Sequence, residues 1–84
     1  MQHILIIEDD RIIAESIEFI LEKDSFSCQW FNNGGESLNY LDNNKVDLIL
    51  LDVGLPDMSG FDVLRKVRLK SNMPVIIISA RDDE

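Results

Sequence analysis

The chain has 84 residues, room for one domain, and its 45% hydrophobic share belongs to a globular protein rather than a disordered tail. Sixteen acidic residues against eight basic ones leave a formal charge of −8, a surface that repels nucleic acid, and no apolar run is long enough to cross a membrane as a helix. The N-terminus lacks the pattern of an export signal, and the single cysteine, Cys28, permits neither an intrachain disulfide nor a metal cluster, so a reducing cytoplasm is the expected setting.

The first apolar run, "HILIIE" (3–8), is short and nearly continuous, as in a strand covered on both faces of a parallel sheet. It runs directly into Glu8, Asp9 and Asp10. From Asp10 to Lys23, Ile13, Ile17, Ile20 and Leu21 recur at steps near four and three. That spacing predicts a helix that buries this stripe, with Asp10 at its start and Glu15, Glu18 and Glu22 on the other side. "SFSCQWF" (25–31) is a weaker strand in which Cys28, Trp30 and Phe31 are packing residues. "NNGG" reads as a turn before a short helix over 34–43 with Leu38 and Leu41 inward.

"VDLILLD" (46–52) is the third strand and "MPVIIIS" (73–79) the fourth. Between them a helix begins near Ser59, whose hydroxyl can cap it, with Asp62 three residues on in an acidic variant of the capping box. Phe61, Leu64 and Val67 are expected on its buried face, and Arg65, Lys66, Arg68 and Lys70 suit its outer face and C-terminal end. His3 is expected at the surface, ahead of the first strand. The order β-α-β-α-β-α-β implies right-handed crossovers and helices on both faces of one parallel sheet.

In such sheets ligands bind outside the carboxyl ends of the strands, where strand order reverses. Three strands end there with reactive groups: Glu8 and Asp9, then Asp52, then Ser79 beside Ala80. Three ionised carboxylates at short range repel, so one takes up a proton or a cation sits among them. Oxygen-only ligands favour a hard ion, and Mg²⁺ suits a site that leaves room for water and a phosphate. Asp52 is then a candidate nucleophile toward phosphorus, and Ser79 a donor to a phosphoryl oxygen. Taken singly, each of these residues is ordinarily a solvated acid or a turn hydroxyl. Their meeting at one edge points to chemistry.

"ILIIEDD", "LILLDVGLPDMSGFDVLRKVR" and "MPVIIISARDD", in that order, resemble the receiver domain of two-component response regulators of the OmpR/PhoB type. The resemblance runs along residues 1–84 and is most specific from Asp52 to Gly60. It implies a flavodoxin-like (CheY-like) three-layer α/β sandwich around a parallel sheet. It matches Asp52 to the phosphoacceptor and Ser79 to the switch hydroxyl. For the Mg²⁺ site, Asp9 matches a direct ligand, Glu8 an acid that often acts through water, Asp52 a further ligand, and Gly54 the position whose backbone carbonyl completes the metal site. Pro56 and Gly60 match residues that shape the loop. Further expectations are a sensor histidine kinase as phosphoryl donor, a cytoplasmic location, and an output, transcriptional in this type, carried by a domain outside the chain.

The family also leads one to expect a last helix-strand-helix portion, with a lysine that pairs with the phosphoryl group, which these residues lack. Self-association through the exposed C-terminal edge, or else poor stability of the 84-residue chain, is the corresponding expectation. Two other readings are a Mg²⁺-dependent phosphohydrolase with Asp52 as nucleophile, against which Gly54 stands where a second acid is usual, and a receiver-like interaction module that takes no phosphate.

Overall fold

Seven elements alternate along residues 1–78, the part of the chain that the computed structural model describes. They are β1 (His3–Ile7), α1 (Arg11–Lys23), β2 (Ser27–Phe31), α2 (Gly34–Asn43), β3 (Leu48–Leu51), α3 (Gly60–Arg68) and β4 (Val75–Ile77). The strands form one parallel sheet in the order β2-β1-β3-β4. Ile7 pairs with both Phe31 and Leu51, so the carboxyl ends of β1, β2 and β3 finish level. Strand order reverses between β1 and β3, and the acids lie at that point.

β1 is apolar throughout because both of its faces are covered. Leu5 and Ile7 join Ile49, Leu51, Val63 and Val67 in the core beneath α2 and α3. Ile4 and Ile6 face the other way, onto Ala14, Ile17 and Leu21 of α1, with Cys28 and Trp30 beside them. The result is the expected three-layer α/β sandwich, and Cys28, Trp30 and Phe31 pack as expected.

Several local expectations need correction. The inward stripe of α1 is Ala14, Ile17 and Leu21, whereas Ile13 and Ile20 stand 46% and 60% exposed. Apolar residues occupy more than one side of this helix, and Ala14, small enough for close approach to the sheet, decides which side faces in. On α3 the buried pair is Val63 and Val67, with Leu64 packed against the same core, and Phe61 is half exposed. Phe61 lies two residues before Val63, about 200° around the helix and so on its far side.

The "NNGG" stretch is a helix start rather than a free turn. The Asn33 side chain accepts from the Glu36 amide at 2.8 Å, and Gly34 and Gly35 form the first turn of α2. Ser59 does cap α3, accepting from the Phe61 amide at 3.1 Å, but Asp62 pairs with Arg65 instead of reaching back. His3 opens β1 and is half-buried, its ring nitrogens 2.6 Å from both the Ser27 and the Tyr40 hydroxyl oxygens. Arg68 donates to the carbonyls of Ser71 and Met73, and Lys70 pairs with Asp42. No helix among the described residues is long and apolar enough to cross a membrane.

Candidate metal centre

The sheet ladder itself brings the acids together. Beyond the end of β3 the Asp52 amide still donates to the Ile7 carbonyl, at 2.8 Å, and the Glu8 amide donates to the Phe31 carbonyl at 3.1 Å. Asp52 is therefore set beside Glu8 by main-chain bonds. The Glu8 carboxylate accepts from the Asp10 amide at 3.1 Å. Asp10 in turn caps α1, accepting from the amides of Ile12 and Ile13 at 2.9 and 3.1 Å. Asp10 starts the helix, as expected, and its side chain is committed to that cap.

Glu8, Asp9 and Asp52 each bring a carboxylate oxygen to within 4.8 Å of the others. Asp52 is 2% exposed and Glu8 4%, while Asp9 is exposed. Burial pushes the Glu8 carboxyl up to about 7 against the bond from Asp10, and the charges of Asp52 and Asp9 push the same way. Asp52 Oδ2 is buried and finds no hydrogen-bond partner among the described residues. A carboxylate oxygen in that position is costly unless something else meets it. An all-oxygen donor set with one such oxygen fits a hard divalent cation.

The loop after Asp52 is folded tightly. Gly54 forms an isolated bridge with Ser59, and the Gly60 amide donates to the Val53 carbonyl at 2.8 Å. A Cβ on Gly60 would run into the Asp52 carbonyl and stand 2.8 Å from Val53 Cα, so α3 can start against the Asp52 main chain only with glycine there. Ser79, the remaining expected site residue, lies outside the described residues.

Two hydrogen-bonding contributors, Asp57 and Trp30, were not foreseen from sequence. Asp57, at the tip of this loop, accepts from the amides of Gly34 and Gly35 at 2.8 Å each, and those bonds hold its carboxyl below the usual range. Met58 fills the space over Gly34, where a Cβ would come 2.5 Å from its sulfur. The Trp30 indole N–H donates to the Glu8 carbonyl at 2.7 Å. The paired glycines were the one local hint of the first contact. Nothing local hinted at the second.

Residues 4–84 match the family model of the response regulator receiver domain. The chain belongs to that family. The receiver is 39% identical to the sensory transduction protein RegX3 of Mycobacterium tuberculosis over all 84 residues, which span 37% of RegX3. It therefore covers just over a third of this curated relative. Among solved structures, a CheY-like response regulator receiver domain from Methanospirillum hungatei superposes with a TM-score of 0.92 at 32% identity, over 99% of this receiver and 67% of that chain. The structure of the histidine kinase ThkA in complex with the response regulator TrrA matches with a TM-score of 0.89 at 28% identity, over 99% of this receiver and 76% of that chain.

Proposed function

We propose that residues 1–84 act as a phosphoacceptor domain that takes a phosphoryl group from a sensor histidine kinase onto Asp52, with Mg²⁺ bound. The observation that carries this reading is the buried Asp52 Oδ2, without a hydrogen-bond partner among the described residues, in a carboxylate cluster with Glu8 and Asp9. Glu8, Asp9 and Asp52 would hold the ion through side-chain oxygens and Gly54 through its carbonyl. The ion supplies charge neutralisation for the carboxylates and for the incoming phosphoryl oxygens.

In the transfer, a carboxylate oxygen of Asp52 forms a bond to phosphorus while the bond from phosphorus to the kinase histidine nitrogen breaks. The electron pair of that bond stays with the imidazole, which takes up a proton. The protein's part is positioning and electrostatics, as is usual for phosphoryl transfer. Ser79 serves as the switch hydroxyl that donates to a phosphoryl oxygen. The kinase complex of TrrA, a relative of the same fold, supports a kinase partner here. Control of a transcriptional output by a domain outside this chain follows from the same reading.

The receiver is a phosphoacceptor rather than a turnover enzyme, since Gly54 offers no acid two residues beyond Asp52. Transfer of label from a phosphorylated histidine kinase to the wild type, and not to Asp52→Asn, is the expected result. Steady hydrolysis of para-nitrophenyl phosphate by the wild type would overturn it. We also propose self-association through β4, where Ile76 and Ile77 are 51% and 40% exposed. Sedimentation velocity is expected to give a mass that rises with concentration, and a monomer at every concentration refutes that part.

A further inference from the structure

Trp30 is the sole tryptophan of the chain and belongs to none of the roles above. Its Cα is level with Ile6 in the β1–β2 register, and its indole packs on the α1 side of the sheet with Ile4, Ile6 and Ala14. From there the ring reaches past the end of β1 to the Glu8 carbonyl, at 2.7 Å. That carbonyl belongs to the peptide unit joining Glu8 to Asp9. A peptide unit is planar, so fixing its oxygen fixes the plane from which both side chains depart. The Glu8 amide is held by the Phe31 carbonyl, also of β2, at 3.1 Å, and the Glu8 carboxylate by the Asp10 amide at 3.1 Å. Of these three restraints only the indole bears directly on the link between the two acids.

We propose that Trp30 is a positioning residue of the acidic site: its indole N–H sets the orientation of the peptide unit between Glu8 and Asp9, and thereby the approach of both carboxylates to a divalent cation. The inference rests on the reading of Glu8, Asp9 and Asp52 as a metal centre. Its chemistry is that of an outer-sphere hydrogen bond that orients ligands, for which loss of the partner typically weakens metal binding about 10- to 100-fold. Packing alone makes a different demand, because phenylalanine can keep most of the ring contact and lacks only the N–H.

The test is a titration of the 84-residue chain with Mn²⁺, a hard divalent probe that takes oxygen ligands, followed by the electron paramagnetic resonance of the free ion. Wild type, Trp30→Phe and Asp52→Asn are compared, each with its metal-free thermal melt. The expected result is saturable wild-type binding, abolished in Asp52→Asn and about 10- to 100-fold weaker in Trp30→Phe, whose melt stays close to wild type. Wild-type affinity in a folded Trp30→Phe overturns the positioning role and leaves the metal centre standing. No binding to folded wild type overturns the metal centre and the inference with it. Should Trp30→Phe not fold, the wild type still decides. Its single indole N–H cross-peak is expected to shift saturably with Mg²⁺, and not in Asp52→Asn. A cross-peak that stays still while the metal binds overturns the inference.

Discussion

Glu8 makes the metal-free receiver less stable as the pH rises. Its carboxyl titrates near 7 in the fold, because it is 4% exposed and faces Asp52 and Asp9, against 4.5 when solvated. Between those values the folded chain keeps a proton that the unfolded chain has released, so stability falls with rising pH. Below 4.5 both states are protonated and no penalty exists; above about 7 the loss is complete. A rise from 4.5 to about 7, at about 1.4 kcal/mol per pH unit, sets the loss at about 3 kcal/mol. For a domain of this size that is a large part of the total.

The assay is urea unfolding in a chelator from pH 4.5 to 7.5, comparing wild type with Glu8→Gln, a neutral side chain of the same shape. The wild type is expected to lose about 3 kcal/mol relative to the variant across that window. Adding Mg²⁺ to the wild type above pH 7 should restore stability, since a ligand that binds only the folded state favours it. A difference between the two proteins that does not change with pH refutes the argument from burial.

Asp57→Ala removes the acceptor of the Gly34 and Gly35 amides, and by the scale of helix caps it should cost about 1 kcal/mol in urea unfolding; an unchanged midpoint would show that water replaces the carboxylate without loss. Gly60→Ala places a Cβ against the Asp52 and Val53 main chain and should cost about 1–3 kcal/mol of stability, as overpacking does. It should also slow labelling of Asp52 by acetyl phosphate. A variant with wild-type stability and labelling would mean that the start of α3 yields easily.

Much of the fold was legible because its signals are local. Continuous apolar runs such as "HILIIE" and "VDLILLD" suit strands covered on both faces of a sheet, and the acids that end them mark the functional edge. Glu8, Asp9 and Asp52 could therefore be placed together before any contact was known. Asp57 and Trp30 could not, since their partners lie 22 or 23 residues away and depend on how α2 and β2 dock. The misjudged helix faces have a related cause. Phe61 and Ile20 satisfy an apolar pattern as well as Val63 and Ala14 do, and close fit against the sheet makes the choice.

Whether Asp52 accepts a phosphoryl group is tested most directly by intact mass after incubation with acetyl phosphate and Mg²⁺, with Asp52→Asn and metal-free controls. One phosphoryl adduct on the wild type, absent from both controls, is the predicted result. A folded wild type that stays unmodified, or an adduct that persists in Asp52→Asn, would contradict the assignment of Asp52 as the phosphoacceptor of this chain.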